Sequence, residues 1–195
     1  MDDVVRKKFE ENGGVLTLKR AIEKGISRFT LDTLLKNNEI EKLGYGIYGL
    51  KDIFVDEFYL FQLQHSSVVF SHNTALYFFN KTERTPIKMD VTVSNSYNIS
   101  KIKDLVNIHR ALKETLDLGV IEIVSPQGQK VRCYNLERTI CDIIRNPKHI
   151  DLEIRNKAIK QSIRDKNFDS NLMFEYAKKM KIYKKVESYM EAIIW

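Results

Sequence analysis

The 195-residue chain is 43% apolar and carries ten Phe and nine Tyr, which excludes a disordered chain and allows one medium domain or two small ones. Folded compactly, a chain of this size buries about 70% of its extended surface. Its net charge of +6 is uneven: residues 1–50 hold nine Lys/Arg against eight Asp/Glu, residues 51–150 thirteen against eleven, and residues 151–195 ten against seven.

Residues 2–12 place Val4, Val5 and Phe9 on one stripe, predicting a helix that Asn12-Gly13-Gly14 ends. A second helix is expected from Leu16 to Lys24, with Leu18, Ala21 and Ile22 inward and Lys19, Arg20, Glu23 and Lys24 in water. Gly25 stops it, because glycine takes the left-handed conformation without a Cβ clash. Ser27 is placed to cap a third helix, buried through Leu31, Leu34 and Leu35. Its opposite face carries Arg28, Thr30, Asp32, Thr33 and Lys36, able to meet base edges and phosphates. Ile40–Leu43 and Ile47–Leu50 then read as a hairpin around Gly44-Tyr45-Gly46, suited to a three-residue turn.

Helix, glycine turn, capped helix and hairpin is the plan of a winged helix-turn-helix DNA reader, and the same plan also serves protein contact. The fold class expected is α+β: a winged helix-turn-helix domain at residues 1–52, then a mixed α/β domain at residues 53–195 with a helical C-terminal end. Candidate DNA-binding residues are Ser27, Arg28, Thr30, Asp32, Thr33, Lys36, Lys42 and Tyr45. With so little net charge in residues 1–50, backbone attraction is expected to come also from Lys19, Arg20, Lys178, Lys179, Lys184 and Lys185. A solvated lysine face is the alternative for the C-terminal group.

Beyond Lys51-Asp52, the aromatic stripe of residues 53–64 predicts core rather than a ligand box. Ser67–Phe70, Lys88–Val93, Val106–Ala111, Gly119–Val124 and Lys130–Tyr134 read as strands, and His72–Phe79 as a short helix. Asn135 caps a helix through Arg145, and residues 151–195 read as three helices with stops near Asn167 and Lys181–Tyr183. Glu137 and Arg138 sit in a first helical turn, where a structural role outweighs a catalytic one. His72 with Asn73 starts its helix, with no orienting partner evident. Asp90 alone lacks the second acid and lysine of a magnesium nuclease.

Cys133 and Cys141 are not in ligand spacing and read as reduced thiols. His65, His72, His109 and His149 are scattered, so neither a metal nor a cofactor is expected. No apolar run nears eighteen residues and no leader pattern opens the chain, so the expectation is a cytoplasmic protein that does not enter a membrane.

Three motifs in order carry a resemblance. Gly25-Ile-Ser-Arg-Phe-Thr-Leu with Gly46-Ile-Tyr-Gly-Leu50, then Ser71-His-Asn-Thr-Ala-Leu-Tyr77, then Leu136-Glu-Arg-Thr-Ile-Cys-Asp142, together resemble the AbiEi-type antitoxins of bacterial abortive-infection and type IV toxin-antitoxin systems. The resemblance implies a non-enzymatic protein that binds inverted repeats in operator double-stranded DNA and represses its own operon. It also implies a nucleotidyltransferase-like toxin as functional partner, counteracted without a stable complex; direct complex formation with the toxin is the alternative. His72, Asn73, Glu137, Arg138 and Asp142 fall on the antitoxin-domain motifs. The chain departs from the family at Tyr45, where wings commonly carry a basic residue, which leaves Lys42 or backbone amides for a phosphate contact.

Overall fold

The computed structural model describes residues 1–147 and 150–194, without the side chain of residue 194; Lys148, His149 and Trp195 lie outside the described residues. The protein is mixed α/β with a helical C-terminal end, and it divides into two compact units: Met1–Ser67 with Val124–Val131, and Val68–Ile123 with Arg132–Trp195.

In the first unit, helix α1 (Asp3–Glu10) begins where the Asp2 carboxylate accepts from the Val4 amide at 2.9 Å. Strand β1 (Val15–Thr17) precedes α2 (Leu18–Glu23), so Leu16 and Thr17 are strand rather than helix. Two local causes act. Thr17 Oγ1 caps α2 by accepting from the Arg20 amide at 3.2 Å, and β1 pairs antiparallel with β3 (Ile47–Leu50), Leu16 opposite Tyr48. Ala21 is fully buried, but Ile22 is 49% exposed, so the inward stripe of this short helix is narrower than its apolar pattern.

Gly25 has φ 78°, and two bonds close the turn: Gly25 N–H to Ile22 O at 2.9 Å and Ile26 N–H to Ala21 O at 2.8 Å. That is a Schellman C-cap, with Ile26 buried beside it. Helix α3 (Arg28–Lys36) follows, buried through Leu31 and Leu34. Strand β2 (Ile40–Gly44) returns to β3 around a two-residue Tyr45-Gly46 loop, one residue tighter than expected. Gly44 pairs with Ile47, Gly46 has φ 64°, and the register shifts between Lys42 and Gly44, which absorbs the extra residue. Phe9, Leu16, Ala21, Ile26, Leu31, Leu34, Ile40, Tyr48 and Leu50 form the core.

Composition puts a hinge at Lys51-Asp52, whereas the compact unit runs on through α4 (Glu57–Gln64). Bonding explains the difference. Asp56 caps α4 by accepting from the Phe58 and Tyr59 amides at 2.9 and 3.1 Å, and its other oxygen accepts from the Ser125 hydroxyl. Gln64 donates to Leu43 O at 2.7 Å. Phe58 and Phe61 are buried, whereas Phe54, ahead of the helix, is 82% exposed, so only the helical part of the aromatic stripe is core.

The second unit is built on β4 (Val69–Phe70), α5 (His72–Phe78), β5 (Asp90–Ser94), β6 (Asn107–Ala111), α6 (Lys113–Leu116), β7 (Val120–Val124), β8 (Lys130–Tyr134), α7 (Leu136–Arg145), α8 (Leu152–Ile163), α9 (Ser170–Lys179) and α10 (Tyr183–Ile194). The sheet order is β6-β5-β4-β8-β7, with β4 antiparallel to β5 and parallel to β8, and β5 parallel to β6. Helix α7 is the centre of the helical layer: residues 136–144 are all buried, and α5, α8, α9 and α10 pack on it. Ile140, Ile143, Ala158, Met173, Ala177 and Val186 fill the space between them. No described helix is long and apolar enough to cross a membrane.

Candidate functional site

On α3 the buried stripe fixes which side chains face out. Arg28, Asp32 and Lys36 lie four residues apart along the exposed side, and Phe29 and Thr33 form a second exposed row. The hydroxyls of this helix are engaged in its own architecture. Ser27 Oγ accepts from the Thr30 amide at 3.0 Å and pairs with Thr30 Oγ1 at 2.9 Å, while Thr33 Oγ1 donates to Phe29 O at 2.9 Å. Of the residues expected to contact a ligand here, Ser27 and Thr30 therefore shape the helix end, and Thr33 turns its hydroxyl back to the backbone. Arg28, Asp32 and Lys36 remain as charged groups. Phe29, absent from the polar pattern and 81% exposed, is the residue that sequence reasoning misses; a large apolar side chain on the polar side of a capped helix is the signal.

The hairpin places Tyr45 at its tip, fully exposed, and Lys42 exposed on β2. On α2, Lys19 and Arg20 are exposed, Lys19 reaching Glu23 at 3.9 Å. Burial raises the Tyr59 phenol, while the Arg20 charge pulls it down. The four C-terminal lysines are all exposed, yet two are engaged: Lys185 Nζ donates to Arg145 O at 2.8 Å, and Lys178 Nζ lies 5.4 Å from the Tyr183 ring centroid. Lys179 and Lys184 stay in solvent contact.

The second unit holds a buried polar cluster. Parallel pairing puts Asp90 opposite Asn107 and Thr92 opposite His109, so all four share one sheet face. His109 Nε2 lies 2.7 Å from Asp90 Oδ1; a carboxylate only accepts, so the imidazole donates. The His72 ring stacks on His109 with centroids 3.4 Å apart and planes 12° apart. His72 Nδ1 is 3.0 Å from Ser71 Oγ, which accepts from Thr92 Oγ1 at 2.9 Å. Thr74 Oγ1 accepts the Asp90 amide at 2.7 Å. His72 does start its helix, at φ 47°, but it has the orienting neighbours its sequence context hides. For a non-glycine residue this conformation costs about 1–3 kcal/mol.

Glu137, Arg138 and Asp142 are built into the core beside it. Arg138 is fully buried and donates to Asp142 Oδ2 at 3.0 Å, Thr115 O at 2.5 Å and Leu118 O at 3.1 Å, its guanidinium 4.3 Å from the Tyr134 ring centroid. Burial lifts the Asp142 carboxyl above its usual range, against the pull of Arg138. Glu137 Oε1 accepts from the Asp169 amide at 3.0 Å, anchoring the start of α9. Both cysteines are free and buried; burial pushes the Cys133 thiol up, and the Cys141 thiol up to about 12. Among the described residues no group of three His, Cys, Asp or Glu is arranged to hold a metal ion.

No family model and no curated protein matches this chain. Among solved structures, the crystal structure of the RV2827C protein from Mycobacterium tuberculosis is similar in fold, with a TM-score of 0.53 and 10% identity over 95% of this chain and 78% of that one. At that identity the likeness concerns the fold alone.

Proposed function

We propose that residues 1–52 are a winged helix-turn-helix in which α3 enters the major groove of duplex DNA and the β2–β3 hairpin is the wing. The observation that carries this reading is the outward side of α3, where Arg28, Asp32 and Lys36 stand exposed beside Phe29 on a helix whose end is fixed by Ser27 and Gly25. Arg28 suits the paired acceptors of guanine, and Asp32 the amino group of cytosine. Tyr45 and Lys42 extend the contact along the hairpin, and the exposed basic residues of α2, α9 and α10 add phosphate attraction.

The three motifs that resemble AbiEi-type antitoxins extend the proposal: the chain represses its own operon at inverted repeats and counteracts a nucleotidyltransferase-like toxin, with no catalysis of its own. Fluorescence anisotropy with a duplex from upstream of its own gene is the test. Operator binding should exceed binding to a scrambled duplex, and Arg28→Ala should weaken it by about 1–3 kcal/mol. Equal affinity for the two duplexes overturns the reading, and a stoichiometric co-purified toxin complex would replace it with direct neutralisation.

A further inference from the structure

Independently of the DNA reading, we propose that the second unit binds a mononucleotide in the open cleft of about 460 Å³ at the starts of β5 and β6, with the base at Asp90 and the phosphate at Arg84. Asp90, Asn73, Asn107, Thr82 and Arg84 line this cleft. Asp90 is 1% exposed; its Oδ1 accepts from His109, while its Oδ2 is buried with no hydrogen-bond partner among the described residues. A buried acceptor left unmade costs about 1–3 kcal/mol, so this carboxylate calls for a donor that the described residues do not supply.

The surrounding groups narrow the donor. A carboxylate oxygen accepts, which selects an N–H or O–H group, and the flanking Asn73 and Asn107 amides offer both donors and acceptors, the complement of a nucleobase edge. Two other charged groups of the lining are already committed: Lys88 Nζ donates to Asp104 O at 3.0 Å, and Asp151 Oδ1 caps α8 by accepting from the Glu153 and Ile154 amides at 2.9 and 3.4 Å. Arg84 is exposed, its backbone amide held by Thr82 Oγ1 at 3.3 Å, and its guanidinium makes no ion pair among the described residues. A guanidinium fork suits a phosphate. The volume lies within the roughly 300–1,000 Å³ of small-molecule sites, which accommodates a mononucleotide. Beside the cleft, the left-handed His72 precedes Asn73, so the cluster that stacks on His109 also sets the residue that lines the site.

Isothermal titration of the full chain with AMP, GMP, CMP and UMP tests this, with inorganic phosphate and the free nucleosides as separate arms. At least one mononucleotide should bind saturably, tighter than phosphate or its own nucleoside by tenfold or more. Arg84→Ala, on the exposed rim, should weaken that binding at least tenfold while leaving the fold intact by circular dichroism. Asp90→Asn should remove the preference among bases, and bound nucleotide should shift the His109 ring resonances. No binding at millimolar nucleotide, binding equal to that of phosphate alone, or binding unchanged in Arg84→Ala overturns the proposal.

Discussion

Replacing Arg138 by methionine removes the most heavily used buried charge of the second unit. The stem of the side chain is kept, and the losses are the ion pair to Asp142 and the bonds to the Thr115 and Leu118 carbonyls. Breaking one side of a buried pair costs about 3–5 kcal/mol, because the other charge stays behind without compensation. The two stranded carbonyls act in the same direction, and water reaching them offsets part, so about 4 kcal/mol is expected. Against a typical total of about 5–15 kcal/mol, that is a quarter or more of the stability, readable as a lower urea midpoint at unchanged slope. The pH dependence has a definite sign. Burial already raises Asp142 in the folded state, and without Arg138 only the weaker pulls of Arg145 and His109 oppose it, so protonation relieves the variant and its deficit is smaller near pH 5 than near pH 8. Arg138→Met with Asp142→Leu should recover most of the loss, since an apolar pair leaves no orphaned charge. A loss under about 1 kcal/mol, or a double variant no better than the single one, refutes the reasoning.

The Lys81–Asp165 pair, at 2.5 Å, holds the Asp165 carboxyl below its ordinary range through the bond from the ammonium. A lowered folded value stabilises above the unfolded value of about 3.9 and is lost as pH falls through the folded one, so the wild-type advantage over Lys81→Ala should be full at about pH 6 and vanish near pH 2. Thermal midpoints across that range check it; a constant difference would contradict the assignment. If Phe29 meets a thymine methyl, changing that thymine to deoxyuridine should weaken anisotropy-measured binding about fourfold, the worth of one buried methyl at about 0.8 kcal/mol. The same change should have no effect in Phe29→Ala, and equal effects in both proteins would exclude the contact.

Much of the architecture was legible because it is local. Asn135 accepts from a first-turn amide of α7, and Gly25 and Ser27 punctuate α2 and α3 as their chemistry dictates. What escaped depends on partners distant in sequence or on competition among bonds. β1 is three residues long and exists through pairing with β3, so no run announces it. Asp90 and His109 are nineteen residues apart and meet because β5 and β6 lie parallel in one register. The hydroxyls of α3 were legible as polar, but not as already spent on the helix itself.

Helix α7 has a role in assembly beyond filling the core. Through Glu137 it receives the start of α9, through Arg138 the α6 segment, through Cys141 the Met173 carbonyl at 3.4 Å, and through Arg145 the side chain of Lys185 from α10. Each of those segments is short, and isolated helices of four to twelve residues do not persist in water. They persist only when packed with α7, itself ten residues long, so the helical layer of the second unit stands or falls as one cooperative block.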